Sequence, residues 1–137
     1  MKYQKLHRWK YRLVAPEVFE TGWELQQGCS TQFIRLERDG RLTIEPGYCW
    51  DGPSGFTIDR KTNMRGSLAH DALYQLMRMG LLALHHRIGA DTFLAQSWRE
   101  DGMWPWVAHA EVALVSLFGE HSAEPRPNSE PTILEAP

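Results

Sequence analysis

A chain of 137 residues with 42% hydrophobic and 23% charged residues has the length and balance of one globular domain with its own core. A formal charge of −2 offers no basic face, which excludes nucleic acid as an expected partner. No apolar run approaches the roughly 18–20 residues that cross a bilayer, and the basic opening from Met1 to Arg8 has no apolar segment behind it. The expectation is therefore no transmembrane segment and no signal peptide.

Taken in chain order, the first fifty residues alternate as strands do. Arg8 to Val14 and Phe19 to Leu25 are weak strand candidates. The clearest pair flanks Arg38-Asp39-Gly40, with Ile34 and Leu36 on one side and Leu42 and Ile44 on the other. Asp-Gly between such runs predicts a hairpin, because glycine accepts the positive φ of the turn. Pro46-Gly47 breaks the pairing, and Tyr48-Cys49-Trp50 leads into the loop Asp51-Gly52-Pro53-Ser54-Gly55. Cys29 and Cys49 lack metal-ligand spacing and are expected to be reduced and half-buried.

The second half reads as helical. From Arg65 to about Leu82 an apolar stripe runs through Ala69, Ala72, Leu73, Leu76, Met77 and Gly80. Ala90, Phe93, Leu94 and Trp98 repeat it in a second helix that Asp101-Gly102 ends. A third helix starts near Pro105, where a missing N–H costs nothing. Its stripe is Trp106, Val107, Ala110, Ala113, Leu114, Leu117 and Phe118, with Gly119 as its stop. The expected class is α+β: N-terminal antiparallel strands and hairpins, then three helices. Residues 1–121 form a single domain in this reading, and the proline-rich tail 122–137 is disordered.

The chemistry-bearing residues are His70-Asp71, Tyr74 one helical turn on, and Asp91, 21 positions after the histidine. On a helical wheel of about 100° per residue, His70 and Tyr74 border the apolar stripe, and Asp71 lies further out. Asp91 borders the stripe of the second helix, so packing the two helices through their stripes brings His70 and Asp91 together. A carboxylate on one imidazole nitrogen fixes the tautomer and leaves the other nitrogen to take a proton from water. Asp71 then remains for a hard cation, calcium, with carbonyls near Gly52, Ser54 and Gly55 completing an oxygen shell. The alternative is structural, with His70 hydrogen-bonded at the core edge and Gly52 to Gly55 an ordinary turn. His85-His86 can join His70 and Asp91 around a transition metal, but an adjacent pair after Leu84 fits a loop better. His109 is expected to cap or border a helix face. Ser54 and Ser67 lack the surroundings of a serine nucleophile.

The ordered blocks Trp50-Asp51-Gly52-Pro53-Ser54-Gly55, Ile58-Asp59, His70-Asp71-Ala72-Leu73-Tyr74, Ala90-Asp91 and Phe118-Gly119 resemble a family of small phage and prophage proteins catalogued as a domain of unknown function. The resemblance covers about half the chain. It implies a phage or prophage origin, synthesis in a bacterial host cytoplasm and other phage structural proteins as partners. A glycine loop, H-D-x-x-Y and a later A-D are also similar to the phospholipase A2 active site, most closely the disulfide-free version in parvovirus capsid proteins. That resemblance implies His70 as general base, Asp91 as its aspartate, Tyr74 as the tyrosine steadying Asp91, and Asp71 as calcium ligand. The chain departs from it in three places: Ser54 replaces the loop's second glycine with Gly55 one place late, Met64 stands where that family has an aspartate, and the strand-rich first half has no counterpart.

Three functional expectations follow. One is a virion structural or accessory protein, particle- or tail-associated, whose His-Asp-Tyr cluster holds a loop to the helices. Another is a calcium-assisted phospholipase A2-like hydrolase acting on membrane phospholipid or another bond of the cell envelope. The third is a small host-binding module that uses some of its six tryptophans as an interface.

Overall fold

A computed structural model describes residues 1–6, 11–52, 61–105, 107–110, 112, 113 and 116. Within them the chain is α+β, as the sequence patterning predicts, with antiparallel strands preceding the helices. Ser54, Gly55 and the tail 122–137 lie outside the described residues, as does all of the stripe expected beyond Ala113.

Strands β1 (Tyr3–Lys5), β2 (Tyr11–Leu13) and β7 (Cys49–Trp50) form one antiparallel sheet in the order β1-β2-β7. Strands β3 (Glu17–Glu20), β4 (Cys29–Ser30), β5 (Ile34–Leu36) and β6 (Arg41–Ile44) form a second in the order β3-β6-β5-β4. The β5–β6 hairpin forms as expected, pairing Leu36 with Leu42 and Ile34 with Ile44. Phe19 faces Leu42 from β3, so one cross-strand row carries three core side chains. The turn has three residues, Arg38-Asp39-Gly40: the Gly40 N–H donates to the Glu37 carbonyl, and Gly40 takes φ +84°. A side chain there would meet the Trp23 carbonyl oxygen at 2.4 Å.

The expected strand from Phe19 to Leu25 is corrected by this turn. The ladder starts earlier, at Glu17, and stops at Glu20, because Gly22 turns the chain at φ +73°. Residues 21–25 instead wrap the hairpin end, with Thr21 and Leu25 donating backbone N–H groups to the carbonyls of Gly40 and Arg38. Cys49–Trp50, read above as a lead into the loop, pairs with β2. Strands of two or three residues such as β1, β4 and β7 carry too little alternation to be legible in sequence.

Helix α1 (Lys61–Arg78) is buried beyond its predicted stripe, since Leu68, His70 and Tyr74 are buried as well as Ala69, Ala72, Leu73, Leu76 and Met77. It has partners on two sides. Trp50 of β7 donates its indole N–H to Ser67 Oγ at 3.2 Å, and Trp98 of helix α2 (Arg87–Glu100) donates its own to the Asn63 carbonyl at 3.0 Å. Gly80, placed in the stripe above, ends the helix instead. At φ +70° it sends its N–H to the Met77 carbonyl, and Leu81 sends its N–H to the Leu76 carbonyl. These two bonds are a Schellman stop. Helix α2 ends the same way at Gly102, through Gly102 to Arg99 and Met103 to Trp98, so Asp101-Gly102 is the terminator expected.

The contacts of residue 63 with 98 and 70 with 91 make α1 and α2 antiparallel. A third helix is described at Pro105 and residues 107–110, 112, 113 and 116. Of its predicted stripe, Val107 packs inward, and Trp106, Leu114, Leu117 and Phe118 lie outside the described residues. Ala108 is buried and Val112 packs beside it against Leu94, Trp98 and Met103, whereas Ala110 and Ala113 are exposed. Alanine fits either face of a helix, so its periodicity points weakly.

Gly66 sets how closely α1 and α2 approach. A Cβ there would lie 2.7 Å from Trp98 Cδ1, and that indole is buried and anchored to Asn63. Alanine in a helix normally gains about 1 kcal/mol over glycine, but overpacking a rigid core costs roughly 1–3 kcal/mol. Gly66→Ala is therefore expected to lose stability, by roughly 1 kcal/mol net, measured as a lower urea midpoint at unchanged m-value.

Candidate functional site

The site lies where the middle of α1 meets the first turns of α2. His70, Tyr74 and Asp91 are all buried, His70 and Asp91 each at 4% exposure. His70 Nε2 is 2.7 Å from Asp91 Oδ1, and the Tyr74 hydroxyl donates to the same oxygen at 2.7 Å. The imidazole and the phenol are neighbours, with ring centroids 4.1 Å apart. Residues four apart on a helix share a face, which is why His70 and Tyr74 reach one carboxylate together. The three residues singled out as a catalytic group are thus brought into direct contact.

Two partners of Asp91 were not expected. Ser116 of the third helix donates its hydroxyl to Oδ2 at 2.8 Å. Arg87 lies 3.7 Å from the same oxygen and donates to the Ser116 carbonyl at 3.2 Å. Arg87 was available in sequence as the residue four before Asp91, a spacing that pairs opposite charges on a helix. Ser116 carried no signal, because nothing local says which turn of the third helix meets Asp91.

Asp71 stands on the other side of the imidazole. Its Oδ1 is 3.9 Å from His70 Nδ1, longer than a direct hydrogen bond, and its side chain keeps 32% of its surface exposed. His70 is therefore flanked by a carboxylate at each nitrogen. Near Asp71 lie Asp51, Arg78 and the buried Tyr48, all close enough to bear on one another's charge. Gly52 is buried with φ +80°, a conformation that favours glycine. Ser54 and Gly55, the other expected carbonyl donors, fall outside the described residues.

The two aspartates are driven in opposite directions. Burial pushes the Asp91 carboxyl up, but hydrogen bonds from His70, Tyr74 and Ser116 overcome it and hold Asp91 below its ordinary value. Asp71 is raised, chiefly by burial and further by Asp51, against the lowering pull of His70 and Arg78. For His70, burial favours the neutral ring, yet the carboxylates of Asp71 and Asp91 outweigh it and raise the imidazole. Burial and the neighbouring Asp91 raise Tyr74, which stays a hydrogen-bond donor.

The alternative transition-metal grouping is not formed. Leu84–His86 is a 3-10 turn, and the His86 ring stacks on Trp23 with centroids 5.1 Å apart rather than facing Asp91. Among the described residues no group of three or more His, Cys, Asp or Glu side chains is placed to hold a metal ion. Cys29 and Cys49 are free thiols of intermediate exposure, and His109 is exposed on the third helix. No helix of the described residues is long and apolar enough to cross a membrane. No protein-family model, curated protein or solved structure matches this chain.

The pair makes stability depend on pH with a defined sign. Asp91, lowered from 3.8, contributes stability above that value and loses it as pH falls through its folded pKa. His70, raised from 6.5, contributes fully below 6.5 and loses its contribution as pH rises through its folded pKa. The ion pair is strongest between 3.8 and 6.5. In urea titrations of His70→Gln against the parent in calcium-free buffer, the stability deficit should be largest inside that window and shrink on the alkaline side. A deficit that stays constant across pH would show that His70 acts by packing alone.

Proposed function

We propose that the chain is an ester hydrolase in which His70 and Asp91 activate water, with calcium assistance at Asp71. The observation that carries this reading is the 2.7 Å contact between His70 Nε2 and Asp91 Oδ1, steadied on the same oxygen by Tyr74. Asp91 accepts the Nε2 proton of neutral His70, which fixes the tautomer and leaves the lone pair on Nδ1. That nitrogen takes a proton from water as the water oxygen bonds to the ester carbonyl carbon. The proton then passes to the departing alkoxide oxygen as the ester C–O bond breaks, giving a carboxylic acid and an alcohol. Asp91 stabilises the imidazolium between the two steps and keeps its own charge.

Access fits this division of work. His70 is almost fully enclosed, and Asp71, beside Nδ1, retains partial exposure. The donors fit a hard cation in kind, because Asp71 and Asp51 bring negative charge together and Gly52 offers a backbone without a side chain. Calcium held by Asp71 and the Gly52 carbonyl would supply positive charge for the oxyanion, with Ser54 and Gly55, which lie outside the described residues, as the other ligands the sequence suggests. The resemblances described above support phospholipid or another envelope ester as substrate, and a phage particle or its assembly as the setting.

A second reading has its own support. Both oxygens of Asp91 are engaged, with donors from α1 and the third helix, which is also what a purely structural clasp requires. In that reading the chain is a structural or accessory component of a phage particle, and the cluster locks its helices.

Fatty-acid release from phospholipid vesicles separates the two. Loss of a general base typically costs about 10²–10⁴ in rate, so His70→Ala should lose at least about a hundredfold with its far-UV spectrum intact. Asp71→Asn should lose activity together with any calcium dependence while the His70–Asp91 contact persists. Parent protein with no calcium-stimulated release from any phospholipid would leave the clasp as the function of the cluster.

A further inference from the structure

We propose that Ser116 is a positioning residue of the site, holding the Asp91 carboxylate in the plane that aims it at His70, and that Arg87 locks Ser116 in place. This inference rests on the hydrolase reading and gives the third helix a part in that reaction. The terminal torsion of an aspartate is soft, so a carboxylate gripped at one oxygen can still swing about it. His70 and Tyr74 both reach Oδ1 of Asp91, each at 2.7 Å, and both come from α1. They fix where that oxygen sits and leave the plane of the group open. A donor prefers to lie near the plane of its acceptor group, so a swing of Oδ2 turns the Oδ1 lone pair away from His70 Nε2. The Ser116 hydroxyl closes that freedom by donating to Oδ2 at 2.8 Å.

The path of the third helix explains how Ser116 arrives there. Ala108, Val112 and Ser116 are spaced four apart and share one side of it. Ala108 and Val112 pack with Leu94 and Trp98 toward the end of α2. The next turn therefore carries Ser116 back to Asp91, near the start of α2. Small apolar side chains leave a helix free to rotate, and Arg87 removes that freedom. Its Nη1 donates to the Ser116 carbonyl at 3.2 Å and stands 3.7 Å from Asp91 Oδ2. One guanidinium group thus spans the Ser116–Asp91 contact from main chain to carboxylate.

Ser116 is not placed as a nucleophile. Its hydroxyl proton goes to Asp91, and the imidazole that could have taken it bonds the other carboxylate oxygen. A clasp between helices uses the same hydrogen bond but has a different consequence. Losing a clasp lowers stability, whereas losing a positioning residue lowers the rate in molecules that remain folded.

The test uses the full chain with calcium and a dispersed short-chain phosphatidylcholine. Ser116→Ala should lower kcat at least about tenfold with KM little changed, because a misdirected catalytic pair costs rate rather than binding. Ser116→Thr, which keeps a hydroxyl, should retain most of the rate. Arg87→Gln combined with Ser116→Ala should lose far less than the product of the two single losses, as members of one unit do. Val112→Ala, which loosens the third helix but keeps the hydroxyl, should lower the urea midpoint and leave kcat unchanged. Proton NMR gives a readout that needs no turnover. The Nε2-bound proton of His70, in a contact of 2.7 Å, should give a downfield, slowly exchanging resonance. It should move upfield and exchange faster in Ser116→Ala, and stay in place in Ser116→Thr and Val112→Ala. A Ser116→Ala protein that loses stability but keeps the parent's kcat and resonance would overturn the proposal. So would a Val112→Ala protein that matches Ser116→Ala in both. A parent that hydrolyses no ester removes the hydrolase reading, and the resonance then decides alone whether Ser116 fixes the His70–Asp91 contact.

Discussion

A single buried carboxylate organises the helical half of this protein. Taking an ion such as Asp91 out of water costs several kcal/mol even after the protein relaxes, and Asp91 is 4% exposed. Its charge persists because three donors at 2.7–2.8 Å replace the lost hydration. Those donors come from α1 and from the third helix, and Arg87 adds a positive charge within α2 itself. The cost of leaving Asp91 unpaired thereby becomes a penalty on any arrangement in which the three helices are out of register. Hydrophobic packing alone does not discriminate so sharply, since the alanines of the third helix fit more than one rotation.

The packing around Asp91 is arranged to let those donors reach it. Gly66 removes a side chain where Trp98 crosses α1, and the indole uses the space to bond the Asn63 carbonyl. About one and two turns further along, the same close approach delivers His70 and Tyr74 to α2. On the opposite side Trp50 holds α1 to the first sheet through Ser67, whose hydroxyl in turn donates to the Met64 carbonyl. Tryptophan in this chain is thus partly a set of anchored spacers, each buried ring ending in a satisfied N–H. Trp23 differs: it lies over Gly89 and stacks on His86, tying the loop after β3 to the start of α2.

What could be read in sequence divides along physical lines. The β5–β6 hairpin, the α1 stripe and the His70–Asp91 encounter rest on local periodicity, and each appears in the structure. The end of α1 was misplaced because Gly80 can read either as a small stripe residue or as a C-terminal stop. Its two capping bonds select the stop. The strand expected through Leu25 failed because Gly22 diverts the chain around the neighbouring hairpin, a tertiary contact invisible to alternation. Ser116 was out of reach for the same reason: its role depends on the rotation of one helix against another, which Ala108 settles and Ala110 and Ala113 obscured.

The contrast between Asp71 and Asp91 is what gives a buried His-Asp contact a chemical direction. Two carboxylates beside one imidazole are redundant if both serve only to hold it. Here their surroundings drive them apart, Asp91 down by donated hydrogen bonds and Asp71 up by burial with Asp51 nearby. Environments that separate the titration of neighbouring acids are a recurrent means of giving them different tasks. Asp91, saturated with donors, can orient the ring and bear its charge but has little left to offer a ligand. Asp71, beside the other nitrogen, keeps about a third of its side-chain surface exposed. A clasp would need only the first of these two carboxylates. The second, 3.9 Å from the ring's other nitrogen and partly exposed, is what the proposed hydrolase role would use and a clasp would not.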